Sequence, residues 1–162
     1  MRKLTIIYAS NGLNKKLSNS IREEAEKLKF NTNEVSLVDL NLPLYTTEAE
    51  ESGIPDSAKE LAENLAKSDC HIFVAPEYNG SIPPTLNNTI AWISRSSKDW
   101  RSSFNGKPTL IATHSGGGGA HVLMSMRQQL SYVGANVIGR QLITNFSKPL
   151  SLDSLVACLE QL

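Results

Sequence analysis

The chain has no surplus of either charge: sixteen basic residues balance sixteen acidic ones in 162. It also has no basic block, so nucleic acid is not expected as its main partner. Cysteine is scarce. Cys70 and Cys158 stand far apart and form no CxxC pair, which argues against a zinc site or a disulfide framework. Two free, buried thiols suit a reducing compartment. No apolar stretch is long enough to cross a bilayer. The run after the basic start, Leu4 to Tyr8, is too short for a signal peptide. A cytoplasmic setting away from membranes is expected. There is no internal repeat and no low-complexity tract, and the length fits one domain over residues 1–162. What remains, 40% hydrophobic and 20% charged residues, is ordinary for a globular protein.

The apolar residues fall into two alternating patterns. Leu4 to Ala9, Val35 to Val38, Ile72 to Val74, Pro108 to Thr113 and Asn136 to Thr144 read as strands, most of them near-continuous apolar runs. Such runs belong to a parallel sheet buried on both faces. Between and after them, Leu13 to Leu28, Ser57 to Ala66, Leu86 to Ile93, Val122 to Val133 and Leu152 to Leu159 carry apolar residues at helical spacing. Ser57 and Glu60 have capping-box spacing, and Gly134 is placed to cap a helix C-terminus. Asn41 to Ile54 and Ser94 to Asn105 read as loops. Alternating strands and helices predict an α/β three-layer sandwich.

In such sheets ligands sit beyond the carboxyl ends of the strands, where the winding reverses. For the order 2-1-3-4-5, three glycine- and hydroxyl-rich junctions meet there. Ser10-Asn11-Gly12, with Asn14 and Lys15 at a helix start, suits a phosphate, and equally suits a capped strand-to-helix turn. It is neither a Walker loop nor a GxGxxG fingerprint, which disfavours ATP and a Rossmann-type dinucleotide. Ala75-Pro76-Glu77-Tyr78-Asn79-Gly80-Ser81 could lay its amides against a flat heterocycle, or be a rigid turn shaped by Pro and Gly. Glu77 fits a general base less well than a solvated or capping carboxylate. Four glycines at 116–119, after His114 and Ser115, either admit a ligand close to the backbone or form a flexible link. Ser115 is not in a GxSxG elbow. His114 and His121 have no convergent metal-ligand spacing, so both read as structural or surface histidines and no metal is expected. Trp92 and Met126 read as core or subunit-contact residues.

The segment Ala75-Pro76-Glu77-Tyr78-Asn79-Gly80-Ser81-Ile82-Pro83, continuing through Leu86, Asn88, Ile90, Trp92 and Ser94-Arg95, resembles the signature of the NADPH-dependent FMN reductase family. The resemblance extends to Ser10 with Asn14 to Leu17, to Asp39 with Leu42-Pro43, to Gly106-Lys107-Pro108 and to the glycine loop. It implies a flavodoxin-like fold, bound FMN and a homodimer or homotetramer. It further implies that Ser10, Gly12, Leu13, Asn14 and Lys15 hold the FMN phosphate. Pro76, Glu77, Tyr78, Asn79 and Gly80 would line the isoalloxazine, and Ser115, Gly116 and Gly117 its pyrimidine side. The chain departs from the family pattern in a shorter phosphate loop, where Asn11-Gly12-Leu13 replaces a stretch with an Arg and a second Ser. Pro84, Asn87 and Ala91 replace the family's Gly, Lys and Asp.

The function so implied is an FMN-dependent oxidoreductase that takes electrons from NADPH or NADH. It would pass them, in ping-pong order, to a small acceptor such as a quinone, flavin or azo compound. No side chain is expected as acid or base. The alternatives are a flavodoxin-like electron carrier, which the neutral charge disfavours, and a binding module that has lost the flavin.

Overall fold

The computed structural model describes all residues, 1–162. Six parallel strands, β1 (Lys3–Tyr8), β2 (Asn31–Ser36), β3 (Cys70–Val74), β4 (Pro108–His114), β5 (Asn136–Val137) and β6 (Leu142–Thr144), form one sheet. Its order is β2-β1-β3-β4-β5, with β6 also on β4. This is the flavodoxin-like winding, with the reversal between β1 and β3. Ser36, Tyr8, Val74, Ala112 and Leu142 lie level across the sheet, so the strands end at about the same height. The helices are α1 (Leu13–Lys27), α2 (Thr47–Glu51), α3 (Asp56–Lys67), α4 (Pro84–Ile93), α5 (Ala120–Tyr132) and α6 (Leu152–Leu159). None is long and apolar enough to cross a membrane.

The period of two along each strand divides the core in half. Ile6, Ile72 and Leu110 face Leu17, Ile21, Leu155 and Leu159 of α1 and α6. Ile7, Phe73 and Ile111 face Leu61, Leu86, Ile90, Leu123 and Met126 of α3, α4 and α5. Trp92 and Met126 are both fully buried, and so belong to the core. At the end of α5, Ala135 N–H bonds Leu130 C=O and Gly134 N–H bonds Ser131 C=O, the paired bonds of a Schellman cap. Gly134 sits at φ +109, and a Cβ there would collide with Asn105 Oδ1.

Five features differ from the sequence pattern, one of them a single 3-10 turn, Trp100–Ser103, within the 94–105 segment. The second strand is Asn31–Ser36, ahead of Val35–Val38. It is an edge strand paired only with β1, so its pairing needs no apolar run, and buried Leu37 marks the turn beyond it. The fifth strand splits in two around Ile138–Gln141, where the Arg127 guanidinium donates to the carbonyls of Val137 and Ile138 at 3.2 and 2.9 Å. The 41–54 segment contains a short helix, α2, capped by Thr46. Ser57 caps nothing: α3 starts behind Pro55, whose carbonyl takes the amides of Ala58 and Lys59.

Candidate functional site at the carboxyl ends of the strands

The first junction is built to leave donors open. α1 begins at Gly12, which has no side chain to cap it, and no acid stands in the first turn. The backbone amides of Ser10, Asn11, Gly12, Leu13, Asn14 and Lys15 donate to no acceptor in the chain. The first amides of any helix lack intrahelical partners, and here no other group meets them. Side chains fix the loop from both flanks. Asn11 accepts from Ser36 Oγ at 3.0 Å and donates to Asp39 Oδ1 at 2.9 Å. Buried Asn14 accepts the His114 amide at 2.8 Å and donates to the His114 carbonyl at 3.0 Å. Its amide thus sets where the loop stands against β4. The Lys15 ammonium lies over the Tyr8 ring, 5.8 Å from its centre.

The second junction is a tight hairpin turn. Tyr78 and Ser81 exchange both backbone hydrogen bonds at 3.0 Å. Asn79 and Gly80 between them take φ +51 and +72, the positive pair that a type I′ Asn-Gly turn requires. This leaves Tyr78 half exposed and the amides of Asn79 and Gly80 free. Glu77 reaches across to α5, where its Oε2 accepts the Val122 amide at 3.2 Å. Its carboxylate caps a helix, as one of the sequence alternatives has it. Thr85, in the first turn of α4, donates to Ala9 C=O at 3.0 Å and so joins this junction to the first.

At the third junction, Ser115 is buried, and its hydroxyl oxygen accepts the Gly117 amide at 3.1 Å. A Cβ on Gly116 or Gly118 would meet nothing within 4 Å, whereas on Gly119, at φ +70, it would strike Thr113 at 2.8 Å. The first two glycines leave space and the last is required by packing. His114 is held by Thr144. Because the Thr144 hydroxyl gives its one proton to the Thr113 carbonyl, it can only accept from His114 Nδ1–H, at 3.0 Å. His121 is exposed on the first turn of α5.

The three junctions share a cleft of about 630 Å³. Of the residues expected there, Ser10, Gly12, Leu13 and Asn14 line it from the first loop, Pro76 and Tyr78 from the second, and Gly116 from the third. Lys15, Glu77, Asn79, Gly80, Ser115 and Gly117 are not among the residues that line it. Val38 and Thr85 line it without having been singled out, and so does Pro84, which the sequence marked only as a departure from the family pattern. Val38 follows β2, and Pro84 and Thr85 open α4, so only their place after a strand or turn could have flagged them. No Asp, Glu, Lys or Arg lines the cleft.

A fourth segment is locked in place nearby. Pro43 C=O accepts from buried Trp92 Nε1 at 2.7 Å and from Asn88 Nδ2 at 2.9 Å. Asn88 Oδ1 in turn accepts the Tyr45 amide at 2.7 Å. Glu50 takes the Tyr45 hydroxyl at 2.7 Å and Arg95 Nε at 2.9 Å. Those two bonds, Tyr45 first, hold the Glu50 carboxyl below its ordinary range.

FMN fits this donor set. A phosphate monoester needs clustered N–H donors and no competing carboxylate, which the first loop supplies at the positive end of a fifteen-residue helix. A flat ring system needs backbone that can be approached edge-on, which the Asn-Gly turn and Gly116 to Gly118 supply. Ser10 and Gly12 to Lys15 would hold the phosphate, and the second and third loops the ring.

The profile of the NADPH-dependent FMN reductase family matches residues 2–148. The uncharacterized protein MG342 homolog of Mycoplasma pneumoniae is 24% identical over 98% of this chain and 95% of its own length. A quinone reductase of Escherichia coli K12 is 38% identical over 103 residues, 62% of this chain. The match spans about half (53%) of that relative's length. Among solved structures, FerB of Paracoccus denitrificans, a flavoenzyme NAD(P)H:(acceptor) oxidoreductase, superposes with a TM-score of 0.75 over 99% of this chain and 97% of its own. At 21% identity that likeness speaks for the fold.

Proposed function

The chain belongs to the NADPH-dependent FMN reductase family, which implies FMN as cofactor and NAD(P)H as electron donor, and on that premise we propose that it reduces a small quinone, flavin or azo acceptor in ping-pong order. The observation that carries this proposal is the convergence of the open amides at the start of α1, the Pro76–Tyr78 segment and the glycine loop at Gly116 on one cleft lined by no charged side chain. Bound FMN supplies the hydride chemistry, so the chain's own task is binding and placement. The α1 amides and helix dipole meet the phosphate charge without a lysine or arginine in the cleft wall. Asn14 and Asn11 hold those amides in register with β4 and β2. Pro76 and Tyr78 present the second loop to the flat part of the cofactor, and Glu77 keeps the glycine loop against that turn. A single cleft would serve donor and acceptor in succession, which is the basis for the ping-pong order. The neutral charge balance suits an enzyme that meets small molecules better than a carrier that docks on a protein.

Two further parts of the proposal concern the protein's setting. α4 has no charged residue, and the one arginine of α5, Arg127, is turned inward onto the β5–β6 connection. Met124 and Tyr132 are exposed on α5, the latter beside Arg101. Interfaces are depleted of charge at their centre and enriched in Met and Tyr, so the surface of these helices fits a second copy of the chain. A solution mass that is a multiple of 17.7 kDa is expected, and a mass of 17.7 kDa would overturn it. Burial pushes the Cys70 thiol up to about 11 and the Cys158 thiol upward too, leaving both unreactive, as suits a reducing cytoplasm.

The test is to add FMN to the purified chain and follow NADPH and NADH oxidation with a quinone present. Flavin uptake and quinone-dependent oxidation are expected. Protein that binds FMN yet oxidises neither nucleotide would instead be an electron carrier, and protein that takes up no FMN in excess would overturn the whole proposal.

A further inference from the structure

In the binding scheme above Glu77 only holds the glycine loop against the turn; its charge has no part there, yet its placement is specific. It comes from the turn after β3, and its carboxylate leaves the cleft to neutral groups and stands behind the glycine loop. Oε2 accepts the Val122 amide at 3.2 Å, and Oε1 lies 3.7 Å from where a Cβ on Gly117 would be. Val122 is the third residue of the thirteen-residue α5, whose cap is Gly119 and whose first turn has no acid of its own. The amides of Ala120 and His121, like those of Gly116 and Gly118, have no acceptor in the chain. The amino end of α5 therefore presents a positive partial charge beside the loop that borders the cleft, and Glu77 brings a negative charge to it across 45 residues of sequence.

We propose that Glu77 tunes the reduction potential of the cofactor bound in this cleft. It does so by offsetting the positive end of α5, which would otherwise favour the more negative, reduced form. The inference rests on the FMN reading of the cleft. Without Glu77 the α5 dipole and the open glycine-loop amides stabilise the reduced cofactor, which then holds its electrons more tightly. With Glu77 the electrons pass on to weaker acceptors. Glu77 is in this account a positioning residue and an electrostatic one. It transfers no proton.

The test is the midpoint potential of the FMN-loaded protein by spectroelectrochemistry. Glu77→Gln keeps an oxygen to accept the Val122 amide and removes the charge. It is expected to raise the affinity for reduced over oxidised FMN about tenfold, a shift of about 30 mV to more positive potential for a two-electron couple. His121→Asp places a second carboxylate on the same exposed turn and is expected to shift the potential the other way. It also decides the matter should the Gln variant take up no FMN. A wild-type potential in either variant would mean that charge at the amino end of α5 does not reach the cofactor, and that result overturns the inference while the proposed function stands. Wild-type protein that takes up no FMN overturns the proposed function, and the inference falls with it.

Discussion

The two ends of the sheet are built on opposite rules. At the amino ends of the strands, polar groups close on one another. The Lys3 amide donates to Asp69 at 2.6 Å, and the hydroxyls of Thr5 and Ser68 meet at 2.7 Å. The Lys107 ammonium donates to the carbonyls of Ala66 and Ser68 at 3.0 and 2.6 Å, finishing α3. The Gly106 amide is taken by the Gly134 carbonyl. At the carboxyl ends, side chains such as Asn11, Asn14 and Thr85 tie the loops to each other, while the backbone amides of Ser10 to Lys15 are left open. Amides that no group of the chain meets are free to meet a ligand, so the end whose loop backbone is left open is where we place the binding site.

If the division is real, damage at the amino end should change stability and leave flavin affinity alone. The largest such effect is expected from pH. His71 is fully buried among the strand starts, donates from Nε2 to Leu65 C=O at 3.1 Å, and leaves Nδ1 without a partner. Burial lowers its pKa from 6.5 to about 4. Between those values the unfolded chain binds the extra proton, so stability is complete above pH 6.5 and is lost as pH falls toward 4. The expected loss is about 3 kcal/mol by linkage. Denaturant midpoints across that range should show the slope in the wild type and a flatter one in His71→Gln. Next comes Gly134→Ala, which must adopt φ +109 and push Asn105 aside. It should destabilise by about 2 kcal/mol in denaturant unfolding, with the FMN dissociation constant of the folded protein unchanged.

The reverse holds at the open end, where a change can improve the fold and harm the site. Leu13→Glu places a carboxylate in the first turn of α1, on a side chain already 40% exposed. The helix should gain roughly 0.5 kcal/mol from its dipole. FMN affinity should fall roughly tenfold through repulsion of the phosphate, read by quenching of flavin fluorescence. Stability and affinity falling together would break the comparison, because the loop would then be part of the stability of the fold.

What was legible in the sequence follows the same division. The three open loops could be read because open loops need residues with a plain signature. Asn79-Gly80 for positive φ, Gly116 to Gly118 for close approach and uncapped Gly12 at a helix start all stand at the ends of apolar runs. The open parallel sheet followed from strand and helix alternation, its order from the family resemblance, and Gly134 from its place after a helical stripe. The links that align the loops were not legible. Asn14 to His114 spans 100 residues and Glu77 to Val122 spans 45, and no local pattern records a side chain that bonds to distant backbone. The second strand was misplaced because an edge strand of Asn, Thr and Glu has no apolar run to show. The fifth was read whole because Arg127, which holds the break, lies on another element.

The central claim is that the open amides of α1 answer a phosphate. The most direct measurement is the affinity of the purified chain for FMN against that for riboflavin, which differs only in lacking the phosphate, by fluorescence quenching at low and high salt. FMN is expected to bind at least about tenfold more tightly, with the margin narrowing as salt rises. Equal affinity for the two flavins at every salt concentration would contradict the account.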